Sequence, residues 1–287
     1  MRIDSTYEVH PKGGVFQTDE ALGYRPVPGG AGYGTHGARH NDYALEKPAG
    51  KRRLLFIGDS VTERHKIIDA LHGLLGDDYE YWNAGVVGYS TAQELAYYRD
   101  YLGSIAADHV VLTFHLNDFD TTPVLFPMGD EIVAVYGQLG SSHPSPWLLK
   151  NSYLYRYVWS QLLNRTRTTR NESIERDVES SLRALQALVR ERDADFTVLV
   201  LPWLLPRSQW TPTQVRQHAE TLQWLEELGI RHYAFLDTLD RALADGVVIN
   251  EPFGDAEPGK GPLDPQHPSD AFAELMARDL LARGFRP

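Results

Sequence analysis

Residues 53–60 read RLLFIGDS. A short apolar run closed by glycine, then a segment of helical length reaching the His72-Gly-Leu-Leu-Gly76 stretch, reads as strand, turn and helix. The unit recurs: YEYWNAG at 79–85 precedes STAQELAYYRDYL, in which Leu95, Tyr98 and Leu102 repeat at helical spacing. HVVLTF at 109–114 is a third strand of the same kind. Farther on, a helix over about 173–191 leads to FTVLVL at 196–201, and a helix over about 212–228 leads to HYAFLD at 232–237. Strands that are apolar throughout and alternate with helices are covered on both faces. This predicts a three-layer α/β/α protein with a doubly wound, mostly parallel sheet, whose reactive groups lie at the carboxyl ends of the strands.

The rest of the composition narrows the chemistry. The chain has 287 residues, 42% of them apolar, which is enough for a sizeable core. With 28 Lys+Arg against 39 Asp+Glu its net charge is −11, so a nucleic-acid backbone or an anionic membrane meets net repulsion and neither is expected as a partner. Cysteine is absent, which removes thiolate nucleophiles, disulfides and Cys-ligated zinc. The N-terminal MRIDSTYEVHPKGG holds no apolar signal segment. The longest apolar stretch, FTVLVLPWLLP at 196–206, is broken by Pro202 and falls short of the ~20 residues of a membrane span. A soluble, cytoplasmic protein acting on a small molecule is expected.

Residues 1–50, rich in Gly and Pro, read as an extended arm packed on the domain formed by residues 51–287. An insertion at about 119–171 interrupts that domain. It carries Phe119, Phe126, Trp147, Tyr153, Tyr155 and Trp159 and has the length of a lid or binding loop. Tyr153, Tyr157 and Ser160 suggest an amphipathic helix inside it, with most of its aromatics packed inward.

Polar residues close three strands: Gly58-Asp59-Ser60, Asn83 to Gly88, and Asn117-Asp118. Taken singly, these are a helix cap, a turn and a loop. Near the C-terminus Asp264 and His267 stand in a loop stiffened by Pro265 and Pro268, just ahead of a helix that starts near Ser269. Serine is a poor nucleophile until a base takes its proton. A Ser, a His with a neighbouring carboxylate and two further donors therefore make the set that acyl transfer requires. His36, His40 and His10 have metal-like spacing, but no paired carboxylate or helix accompanies them, and no metal or other cofactor is expected.

These blocks, in this order over roughly residues 53–285, resemble the SGNH hydrolases, or GDSL esterase/lipase family. FIGDSVT matches the first block and implies Ser60 as the nucleophile. NAGVVGYST implies that the amide of Gly88 joins that of Ser60 in an oxyanion hole. HLND matches the third block at Asn117, with His115 in place of the usual glycine. The Asp-x-x-His block is met by Asp264 and His267. His115 and Phe119 are candidate substrate contacts, although His115 also suits a packed neutral side chain, and Glu63-Arg64 implies a polar rim. The G-x-S-x-G signature of α/β-hydrolases is absent. The resemblance implies a serine esterase for O-acyl esters with short acyl groups, such as acetyl, on a carbohydrate or other small metabolite. The same acyl-enzyme in an acyltransferase, and a non-catalytic binding module of this fold, are the alternatives.

Overall fold

Five parallel strands form the central sheet of the computed structural model, which describes residues 7–11, 15–19, 21–30, 32–39, 43–119, 124–128, 131–135, 145–252 and 263–287. These are β1 (Arg52–Gly58), β2 (Tyr79–Gly85), β3 (His109–His115), β4 (Asp195–Leu201) and β5 (Arg231–Ala234), in the order β2-β1-β3-β4-β5. The helices of the body are α1 (Ser60–Glu63), α2 (Lys66–Leu75), α3 (Thr91–Asp100), α4 (Tyr153–Glu191), α5 (Pro212–Glu227), α6 (Leu236–Ala244) and α7 (Asp270–Ala282).

Side chains alternate across a strand, so each strand feeds two cores. Leu55, Ile57, Val110, Leu112, Phe114, Val198 and Val200 pack with α3, α4 and α5. Leu54, Phe56, Val111, Leu199 and Leu201 pack with α2, α6 and α7. The expected three-layer, doubly wound sheet is therefore what the chain forms. From β1 it winds outward to β2, then returns past β1 to β3. The strand order reverses there, and the carboxyl ends of β1 and β3 flank a crevice.

Several expected boundaries move. The strand expected over 232–237 stops at Ala234, because the chain turns at Phe235, whose N–H donates to Val200 O at 3.2 Å, and enters α6 with Asp237 in its first turn. The helix expected at 173–191 begins instead at Tyr153. No Gly or Pro occurs from 153 to 191, so nothing in the insertion breaks it, and it runs 39 residues, roughly 58 Å. Its C-terminal part docks through Val178, Leu182, Leu185 and Val189. Segments of the arm pair as strands. Tyr7–Pro11 pairs with Glu131–Val135 of the insertion, which pairs with Val124–Met128, and Phe16–Asp19 forms a hairpin with Gly23–Pro26. The remaining parts of the expected lid, 120–123, 129–130 and 136–144, lie outside the described residues. Among the described residues no helix is long and apolar enough to cross a membrane.

The arm also closes the edge of β2, where the Arg39 N–H donates to Asn83 O at 2.5 Å. Its main anchor is Arg53, a fully buried cation. Arg53 Nε donates to Glu80 Oε2 at 2.5 Å, Nη1 to the carbonyls of Leu45 and Ile105 at 2.7 and 2.8 Å, and Nη2 to the carbonyl of Ala44 at 2.6 Å. One side chain thus joins the arm, β1, β2 and the turn after α3. Arg53→Met leaves Glu80 buried without its partner and should lower stability by about 3–5 kcal/mol, read as a lower urea midpoint. The double variant Arg53→Met/Glu80→Leu should recover much of the loss, and an unchanged midpoint in the single variant would refute this role.

Candidate active site

The site starts from a tight turn. Asp59 follows β1 directly and caps α1, its Oδ1 accepting the Val61 N–H at 2.9 Å. α1 lies hard against the end of β2, where a Cβ on Gly85 would come within 2.3 Å of Glu63 N, so only glycine permits the approach. Asn83 clamps the same junction: its Nδ2 donates to Thr62 O at 2.7 Å and its Oδ1 accepts the Gly85 N–H at 2.8 Å. Ser60 is thereby fixed at the carboxyl end of β1.

Asp264 and His267 arrive on the strand Leu263–Pro268, which pairs antiparallel with Asn250–Pro252. Asn250 Nδ2 donates to the carbonyls of Leu204 and Asp264, both at 2.9 Å, and the Leu204 N–H donates to Pro265 O at 2.8 Å, so the loop after β4 holds this strand in place. Ser269 caps α7 through the Phe272 N–H at 3.1 Å. His267 Nε2 stands 2.8 Å from Ser60 Oγ, and its Nδ1 stands 2.7 Å from Asp264 Oδ2. All three side chains are buried. Burial alone would raise the Asp264 pKa, but hydrogen bonds from His267 and the Gln266 N–H outweigh it and hold the carboxyl below its ordinary value. An ionised Asp264 accepts the Nδ1 proton and leaves Nε2 free to accept one from the hydroxyl.

Asn117, in the turn after β3, is held from two sides. Its Nδ2 donates to Asp59 Oδ2 at 2.6 Å, and its Oδ1 meets His115 Nδ1 at 2.8 Å. The carboxylate accepts only, which orients the amide, and the 2.8 Å contact, shorter than the 3.3 Å approach of the Asn117 N–H to the same nitrogen, puts the ring proton on His115 Nδ1. Burial lowers the His115 pKa, so the imidazole is neutral. His115 packs beneath Asn117 against Trp203, ring centroids 5.0 Å apart. Its side chain is fully enclosed. Phe119 is likewise buried, between Phe114 and Trp224.

Gly88 is exposed in the turn after β2 with φ +73°, a conformation that favours glycine. The arm braces this turn: the Tyr24 hydroxyl donates to Val87 O, and the Tyr89 hydroxyl donates to Tyr24 O at 2.6 Å. Glu63 pairs with Arg39 at 2.6 Å and the exposed Arg64 pairs with Glu251; Arg39, Glu63 and Arg64 line a polar cavity of about 580 Å³ whose lining includes none of Ser60, Gly88, Asn117 or His267. His36 lies near Trp82, ring centroids 6.2 Å apart, and His40 lies outside the described residues. Among the described residues no group of three or more His, Asp or Glu could hold a metal ion.

Sequence reasoning missed a pair of buried acids behind Asn117. Both carboxyl oxygens of Glu94 and Oδ1 of Asp118 are buried without a hydrogen-bond partner, while Thr91 Oγ1 donates to Asp118 Oδ2 at 3.4 Å. Burial, then the nearby Asp59, raises the pKa of Glu94. Burial, then Glu94 and Asp59, raises that of Asp118. Only the apolar company of α3 could have flagged Glu94, and that helix is too mixed in sequence to give a face.

Neither a family model nor a curated protein matches the sequence. Solved structures do. The chain is similar to a mutant of Axe2, an acetyl-xylooligosaccharide esterase from Geobacillus stearothermophilus, at 16% identity over 83% of this chain and 96% of that one, with TM-score 0.50. It is similar to LAE5, an alpha/beta hydrolase enzyme from the metagenome of Lake Arreo, Spain, at 14% identity over 82% and 95%, also with TM-score 0.50. At these identities the likeness is one of fold.

The buried acids give a pH signature. A carboxyl that binds its proton more tightly folded than unfolded loses stability for the fold as pH rises above the unfolded value, about 4.3 for Glu, towards the folded one. Glu94→Gln keeps the shape without the charge. It should raise Tm more at pH 8 than at pH 5, by about 2–4 °C for each kcal/mol relieved. Equal shifts at both pH values would show that Glu94 releases its proton as easily in the folded chain as in the unfolded one.

Proposed function

We propose that the chain is a serine esterase of the SGNH (GDSL) type that hydrolyses short-chain O-acyl esters of a carbohydrate or other small metabolite through an acyl-enzyme. The observation that carries this reading is the unbroken line from Asp264 Oδ2 through both nitrogens of His267 to Ser60 Oγ, at 2.7 and 2.8 Å. In the proposed reaction His267 takes the Ser60 proton as Oγ attacks the ester carbonyl, and Asp264 stabilises the imidazolium that forms. The amides of Ser60 and Gly88 and the Nδ2 of Asn117 receive the oxyanion. His267 then protonates the departing alcohol, and water repeats the sequence to release the acid. His115 acts on this chemistry through Asn117, as a positioning residue. Axe2 acts on acetylated xylo-oligosaccharides by its description, so acetylated sugars head the substrates to screen.

A fluorophosphonate probe should label the wild type at Ser60. Ser60→Ala should abolish labelling and lower turnover of acetyl esters by several orders of magnitude with little change in Tm, and His267→Ala should be of similar severity. Wild-type turnover in Ser60→Ala would refute the mechanism.

Asn117→Ala should lower kcat by about 10²–10³ with a smaller effect on KM, since an oxyanion donor acts mainly in the transition state. His115→Leu should lower kcat in the same sense but less, about tenfold, by releasing the amide of Asn117. An effect on KM alone in either variant would make Asn117 a substrate contact instead.

A further inference from the structure

The insertion carries a surface that the proposed chemistry leaves unused. In the short helix Pro146–Asn151 and the first turns of α4, Trp147, Tyr153 and Leu154 are 60%, 64% and 69% exposed, and Tyr157 and Val158 are exposed beside them. On an α-helix, Tyr153, Tyr157, Leu154 and Val158 spread over about 140° of the circumference. Trp159 is buried on another side of α4, stacked on Tyr155. A contiguous exposed apolar face of this kind marks a contact site.

Charge selects the occupant. From Ser145 to Asn171 the sequence holds Lys150, Arg156, Arg165, Arg167 and Arg170 and no Asp or Glu, in a chain of net charge −11. The Arg156 guanidinium lies 5.7 Å from the centre of the Tyr153 ring. A second copy docked face to face would set like charges against each other. A stretch of sequence that joins exposed Trp and Tyr to cations and holds no acid suits the headgroup region of an anionic bilayer. The whole-chain charge that argued against a membrane is an average. Fields between exposed charges fade within about 10 Å at ordinary salt, so the local segment decides.

We infer that this face docks the protein onto an anionic lipid surface, Trp147, Tyr153, Leu154 and Val158 entering the interface and the cations of the segment supplying the attraction. The site is independent of the esterase reading. The full chain should co-sediment with vesicles of phosphatidylcholine and phosphatidylglycerol, stay free of pure phosphatidylcholine vesicles, and be released by salt. Leu154→Asp/Val158→Asp should lower the bound fraction about tenfold or more at unchanged Tm. Trp147→Ser serves as a second variant should the first fail to fold. Absence of binding to the phosphatidylglycerol vesicles, or binding that neither substitution weakens, would overturn the proposal. So would a dimer in sedimentation equilibrium, formed without vesicles, that the same substitutions dissolve.

Discussion

A single buried carboxyl sets the geometry on which the site depends. Asp59 is enclosed, so each of its oxygens requires a donor. Oδ1 takes the Val61 N–H and so fixes where α1 begins, and Oδ2 takes Asn117 Nδ2 and so fixes the turn after β3. Two strand ends that belong to opposite windings of the sheet are thereby held in one register. The spacing between Ser60 and the amide of Asn117 follows from that carboxyl rather than from either loop alone.

Around this centre, support comes from segments remote in sequence. The arm touches the Gly88 turn through Tyr24 and anchors the base of β1 and β2 through Arg53. His115 supplies from below a donor that glycine could not. The substitution that looks like a departure at the level of the motif is, in the structure, an added constraint on Asn117. Behind it the fold tolerates Glu94 and Asp118 in an apolar setting, a local conflict of the kind that stability alone would remove.

Much of the fold was legible because the strands are nearly uniform in character. RLLFIG, YEYWNAG, HVVLTF and FTVLVL are buried on both faces and leave no ambiguity of period. The polar strand ends stood out against them, as did Asp264 and His267, each followed directly by a proline. What was hidden depends on contacts between distant elements. HYAFLD could not reveal that its second half turns into α6, since an edge strand and a helix start share apolar residues. The continuity of α4 was obscured by the polar middle of its sequence. The sequence did not reveal that the side chains of His115 and Phe119, next to Asn117, are both buried. Glu94 gave no sign, because its burial is imposed by neighbours far along the chain.

The pairing of Ser60 with His267 closes a span of 207 positions. Contacts of such range form late, after the local units have assembled, and a nascent chain grows from its N-terminus. The turn carrying Ser60, its cap and most of the sheet can therefore form before His267 is present. Docking of the strand Leu263–Pro268 and α7 is the event that brings an imidazole within hydrogen-bond reach of Ser60, so a chain halted before residue 263 carries the hydroxyl without its imidazole.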